Sequence, residues 1–169
     1  MSYRNKTYVA FASEDIHNYR LMEAWRENAK IEFDFFDAHD LYVSRDSSSR
    51  ETIKRNLRER LKNAKQVVLL CSGHAKRKGG DDYSFLAHEI DVILEFGLPV
   101  VVANLDGDRT VKRTFIPQPL LDANHYTVSV SFQPKIIQYA LDNYVASYSS
   151  KKGEGAHQYP VDVYTKLGL

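Results

Sequence analysis

Residues Gln66 to Cys71 carry Val67, Val68, Leu69 and Leu70 in unbroken succession, and this run constrains the fold more than any other feature. A short segment that is apolar throughout has no wet face. It fits a strand covered on both sides, which is the position of a central strand in a parallel sheet. A parallel strand cannot be reached by a tight turn, so long crossovers must flank it, usually helices.

The rest of the chain supplies them. Thr7 to Phe11 is a short β-type run that ends in a polar loop, Ala12 to His17. Tyr19 to Asn28 reads as a helix with Leu21, Met22 and Trp25 on one side. Ile31, Phe33 and Phe35 alternate with Glu32 and Asp34, so Ile31 to Phe36 reads as an edge strand with one wetter face. After a polar segment from Asp37 to Ser49, Ser48 and Glu51 have capping-box spacing and open a helix bearing Ile53, Leu57, Leu61 and Ala64.

Beyond the apolar run, Ser72 to Asp82 reads as a Gly- and Lys-rich loop, and Asp82 to Phe96 as a helix closed by Gly97. Pro99 to Leu105 and Tyr126 to Val130 are further strands, separated by a loop from Asp106 to Asn124. Pro134 opens a last helix with Ile136, Ile137, Ala140, Leu141, Tyr144 and Val145 on its core face. Residues 1–150 read as one domain. Ser149 to Gly155 reads as a linker, and the tail over 151–169 as a segment that can pack on the domain.

Strand and helix alternate throughout, which implies an α/β fold of three layers with helices on both faces of a parallel sheet. With strands at 7–11, 31–36, 66–71, 99–105 and 126–130, the expected order is the flavodoxin-like 2-1-3-4-5. A ligand crevice then lies at the carboxyl ends of the first and third strands. The loop after Phe11 and the region after Cys71 should face it.

Composition narrows the partners. The 169 residues are 43% hydrophobic and 27% charged, with a formal net charge of +1. That balance favours neither a nucleic acid nor a membrane surface as partner. Cys71 is the single cysteine, so no disulfide can form within the chain. Together with a polar start from Met1 to Thr7, this suggests a cytoplasmic protein.

Helical spacing singles out one acid. Leu86, Ile90, Ile93 and Gly97 form a core stripe, with Glu89 on its border and Asp91 and Glu95 on the opposite face. Glu89 is therefore expected to be half-buried near the crevice, and His88 to face solvent. Spacing alone leaves Glu89 open between a reactive carboxylate and a border glutamate paired with a Lys or Arg. Ser13 or Asp15 can cap the following helix. Phe11 reads as core. Asp37, His39 and Asp40 form a turn without defining metal-ligand spacing, and no metal is expected. Cys71-Ser72 stands where a phospho-receiver needs an aspartate, and GxGxxG, Walker and Gly-x-Ser-x-Gly motifs are absent.

Three stretches carry a family resemblance. They are Val9-Ala10-Phe11-Ala12-Ser13-Glu14-Asp15; Phe36-Asp37-Ala38-His39-Asp40 with Ser48 to Leu61; and Val67 to Ser72 with Leu86-Ala87-His88-Glu89-Ile90. In this order and spacing they resemble the bacterial TIR-like family that includes the sensors of Thoeris anti-phage defence. The resemblance implies a TIR fold and cleavage of the nicotinamide–ribose bond of NAD. The products would be ADP-ribose or a cyclic ADP-ribose isomer that activates a separate effector. NAD would be the substrate rather than a cofactor. The matching catalytic position is Glu89, although Leu86-Ala87-His88 stands where relatives often carry Arg or Trp.

In the functional reading of these residues, the backbone N–H groups at Phe11 and Ala12 and the Ser13 hydroxyl meet phosphate or ribose, and Asp37 contacts the nucleotide from a closing loop that includes Asp40. Arg45 and Arg50 either meet the pyrophosphate or are plain surface charges, and Tyr83 either stacks on a base or packs. The competing reading is a non-catalytic TIR-like module that signals by self-association through its helices and the Asp37 to Ser49 loop. A third is a flavodoxin-like receptor for a nucleotide signal.

Overall fold

The computed structural model describes residues 6–31, 33 and 49–169. Its described sheet is wholly parallel and runs β1 (Thr7–Ala10), β2 (Gln66–Cys71), β3 (Val100–Asn104), β4 (Thr127–Ser131) and β5 (Ala156–Gln158), side by side in that order. The helices are α1 (Ile16–Glu27), α2 (Arg50–Leu61), α3 (Gly73–Gly79), α4 (Phe85–Phe96), α5 (Gln118–Asp122), α6 (Pro134–Ser147) and α7 (Val161–Lys166).

The α/β class and the parallel sheet agree with the sequence pattern. The strand order differs in one respect. The strands at 7–10, 66–71, 100–104 and 127–131 are neighbours as expected, but the described fifth strand is β5, on the far side of β4. The expected edge strand at Ile31 to Phe36 lies outside the described residues except for Ile31 and Phe33. Three residues, Ala156-His157-Gln158, are too short and too polar to register as a strand by periodicity. Their pairing with Thr127, Val128 and Ser129 makes them one.

Alternation along each strand sorts side chains onto two cores. On one face Val9, Val68, Leu70, Val101 and Val130 pack with Met22 and Tyr19 of α1 and with Ile136, Ile137, Ala140 and Leu141 of α6. On the other, Tyr8, Ala10, Val67, Leu69, Val100 and Val102 meet Leu57 and Leu61 of α2 and Leu86, Ile90 and Ile93 of α4. Leu21 is not part of the first core: it is 45% exposed, and Tyr19 takes the buried place beside Met22.

Local chemistry fixes the helix ends. Ser49, rather than Ser48, is the N-cap of α2, its Oγ accepting from the Thr52 amide at 3.2 Å. Ser84 caps α4 by accepting from the Ala87 amide at 3.0 Å. Gly97 closes α4 with φ +63°, a left-handed conformation that glycine enters without steric cost. The stretch after Ser72, expected as a loop, contains α3. Ser72 Oγ caps it by accepting from the amides of His74 at 3.1 Å and Ala75 at 3.2 Å.

Candidate functional site

The carboxyl ends of β1 and β2 are joined by polar side chains. Ala12 carbonyl accepts from the Asp15 amide at 2.8 Å, which folds Ala12 to Asp15 into a tight turn directly after β1. This directs the Asp15 side chain across to β2, where Ser72 Oγ donates to Asp15 Oδ2 at 2.5 Å. Asp15 is buried, and it makes no side-chain cap to α1, so the expected capping role gives way to this cross-strand bond. A charge-assisted hydrogen bond is the strong kind and holds the two strand ends in fixed relation.

Ser13 is exposed, and its hydroxyl donates to Glu14 Oε1 at 2.9 Å rather than capping a helix. Glu14 also receives Arg77 at 2.6 Å. The Ser13 hydroxyl first, then the Glu14 amide and the nearby Lys78 and His74 charges, hold the Glu14 carboxyl below its ordinary range. The basic run after β2 is thus tied to the turn after β1. Its first lysine points elsewhere: Lys76 Nζ donates to the carbonyls of Arg113 at 3.1 Å and Ile116 at 2.9 Å, fastening the β3–β4 crossover.

Phe11 is buried and stacks on Tyr19 with ring centroids 4.8 Å apart, so its ring faces the α1–α6 core. Ala12 is buried on the opposite face, the face shared with Tyr8 and α4. Tyr83 is 82% exposed just before α4, with the Arg50 guanidinium 5.7 Å over its ring. Asp37, Asp40 and Arg45 lie outside the described residues.

Glu89 departs from its expected half-burial. It is 0% exposed, and its Oε2 accepts a hydrogen bond from the Tyr8 hydroxyl, also 0% exposed. The physical reason is the length of the tyrosine. Tyr8 points from β1 towards the α4 side of the sheet and gives the carboxylate a donor inside the core, which makes burial affordable. The other acids of α4 behave as expected: Asp91 pairs with Lys54 at 3.0 Å and Glu95 with Arg58 at 3.1 Å, both on the outside. Tyr8 was not singled out by sequence reasoning. Its only signal was a polar atom on the strand face that turns towards the glutamate's helix.

His88 is likewise buried, at 1% exposed, rather than facing solvent. The same count that placed it outside ignored α2, which lies across that side of α4 and ties to it through the Lys54 and Arg58 pairs. Burial first, then the Lys54 and Arg50 charges, push its imidazole below the ordinary value and keep it neutral. Cys71 is buried at the end of β2. Burial, reinforced by the Asp15 charge, drives its thiol far above the range of a nucleophile. Among the described residues, no group of three or more His, Cys, Asp and Glu side chains is arranged to hold a metal.

Comparison with known families matches residues 8–110 to the description "Thoeris protein ThsB, TIR-like domain". The chain belongs to this family. The match begins at Tyr8, takes in β1, the Asp15–Ser72 bridge and Glu89, and ends in the loop after β3. The TIR-like region thus contains every residue of the candidate site, while β4, α6, β5 and α7 complete the domain beyond it. Among the described residues, no helix of this TIR-like protein is long and apolar enough to cross a membrane.

Proposed function

We propose that the protein is a TIR-type defence enzyme that consumes NAD, cleaving the bond between nicotinamide and ribose. The observation that carries this reading is Glu89: a carboxylate withdrawn from water, on α4, within the family's matched region. In a site of low polarity, a fixed negative charge acts strongly on a developing cation.

The reaction needs little else. The C1′–N bond breaks and its electron pair stays on nicotinamide, which leaves neutral and needs no proton. The ribosyl oxocarbenium ion left behind is stabilised by the carboxylate and its hydrogen bonds to the ribose hydroxyls. Water captures C1′ and releases a proton, giving ADP-ribose. Capture by a base nitrogen of the same molecule gives a cyclic isomer instead. Such a product would diffuse to a separate effector protein. The proposed substrate contacts are the backbone at Phe11 and Ala12, whose side chains are buried, with Ser13, Asp37, Asp40, Arg45 and Tyr83, and Ser13 and Tyr83 are exposed.

The complete burial of Glu89 also supports a second reading, a non-catalytic module that signals by self-association. A chromatographic time course of NAD with concentrated protein, beside Glu89→Gln, separates the two. The enzyme reading expects NAD to fall with the wild type and to stay intact with Glu89→Gln, at unchanged thermal stability. NAD stable with both proteins, while the protein self-associates, sinks the enzyme reading.

A further inference from the structure

The site as it stands poses a steric contradiction. A carboxylate that stabilises a ribosyl cation must touch the ribose, yet Glu89 has no exposed surface. Its hydrogen-bond donor, Tyr8, lies equally deep, in the core between the sheet and α4, with Val67 beside it in the register and Leu86 and Ile90 in the same cluster. Meanwhile the turn that follows β1 is fastened by the Asp15–Ser72 bond, so the strand that bears Tyr8 is not free to shift.

We infer that Tyr8 is a positioning residue that holds Glu89 in a withdrawn resting conformation, and that a ligand presenting vicinal ribose hydroxyls draws the carboxylate out by replacing the tyrosine as donor. The inference rests on the NAD-consuming reading for the identity of that ligand. At Oε2 the exchange is balanced in kind: one O–H donor to a carboxylate oxygen is replaced by another. No covalent bond changes. The latch lowers apparent affinity, because only the fraction of molecules with Glu89 released can bind productively. It also keeps a carboxylate that can act on a cation away from solvent until substrate is present.

Tyr8→Phe tests this, because it keeps the ring that fills the core and removes only the hydroxyl. The direct readout is the side-chain carboxyl carbon signal of Glu89 in protein labelled with ¹³C-glutamate, assigned by its disappearance in Glu89→Gln. The expected result in the free protein is a displaced Glu89 signal in Tyr8→Phe, moved in the direction that a non-cleavable carbocyclic NAD analogue moves the wild-type signal. In turnover, KM for NAD should fall by about tenfold while kcat does not fall, a split that follows from a larger competent fraction.

Two outcomes overturn the latch. One is an identical Glu89 signal in free wild type and free Tyr8→Phe. The other is a loss of kcat in Tyr8→Phe as deep as that of Glu89→Gln, which makes the hydroxyl part of the working site rather than a restraint. If Tyr8→Phe does not fold, 3-fluorotyrosine placed at position 8 alone serves. A more acidic donor binds the carboxylate more tightly, so KM should rise, and a fall in KM overturns the latch. If the analogue leaves the Glu89 signal unmoved and NAD stays intact with every variant, the NAD reading fails. The free-protein comparison then still decides whether Tyr8 restrains Glu89.

Discussion

The two halves of the sheet's carboxyl edge are finished in opposite ways. Beyond β3 and β4 the chain closes the edge with its own later residues. The Val111 amide donates to Gln158 Oε1 at 2.7 Å, the Ser131 amide donates to the Tyr164 hydroxyl at 3.2 Å, and the Arg109 guanidinium sits 4.3 Å over the Tyr164 ring. Asn104, buried at the end of β3, donates to the carbonyls of Asp108 at 3.0 Å and Thr110 at 2.9 Å and shapes the loop between. Beyond β1 and β2 the described residues are tied to the chain that follows β2: the Asp15–Ser72 bond, the Glu14 ion pairs, and the Tyr8–Glu89 contact beneath. One half is sealed by the later chain, and the other is held by carboxylates, Asp15, Glu14 and Glu89, bonded across to a neighbouring strand or helix. Sealing removes a surface from chemistry. Polar fastening leaves groups whose partners can be exchanged, which is why the candidate site belongs to the β1–β2 half.

The contrast is broken most severely at Tyr164, which is fully buried in the α1–α6 core. Tyr164→Ala should cost about 3–5 kcal/mol, as for other large buried aromatics. Urea unfolding should show this, while under the proposed NAD-consuming function the rate of NAD consumption by the protein that remains folded stays near wild type. A specific loss of turnover would mean that the sealed half takes part in the site. Asp15→Ala attacks the other half. It strips Ser72 of its carboxylate acceptor and should cost about 1–3 kcal/mol, and under the proposed function it should lower NAD turnover as well, because the strand ends that frame the site lose their tie.

Gly79 sharpens the comparison, since it lies between the halves. A Cβ there would meet Pro117 Cβ at 2.6 Å and Ile90 Cδ1 at 2.8 Å. Gly79→Ala should destabilise by about 1–3 kcal/mol through overpacking, with amide exchange quickening in both the β3–β4 crossover and α4. Exchange quickened on one side only would show that the halves are mechanically separate.

The smallest effect is a pH dependence. His88 and His125 are both pushed below the ordinary histidine value by burial, and the Leu98 carbonyl, accepting from His125 Nε2 at 2.7 Å, only partly opposes this. Folding therefore favours their neutral forms. The stabilisation is fully present above the unfolded value of about 6.5 and declines as pH falls through it. The melting temperature should drop between pH 7 and pH 5, and His125→Gln should flatten part of that slope.

Much of this layout was legible because burial on both faces leaves a plain mark. The runs ending in Phe11, Cys71 and Leu105 announced β1, β2 and β3, and Gly97 and Pro134 marked helix ends by backbone chemistry that acts locally. The misreadings share a cause, which is that a single element does not know its neighbours. α3 was hidden because Lys76-Arg77-Lys78-Gly79 has no apolar stripe, and its cap and its contacts with Glu14 and the crossover give it order. His88 looked solvated until α2 covered it. Glu89 was correctly drawn towards the core, but the depth of its burial depended on Tyr8, a residue 81 positions away in sequence.

The lateness of β5 has a consequence for synthesis. Residues 156–158 emerge after every other strand of the described sheet, and at some 5–20 residues per second the ribosome leaves a short interval in which β4 stands uncovered. During it, the outer N–H and C=O groups of Thr127 to Ser129 offer a template to any passing strand. A message cut short before residue 156 prolongs that interval indefinitely. Such a fragment keeps Tyr8, Asp15, Ser72 and Glu89 but is left with β4 as an open edge strand.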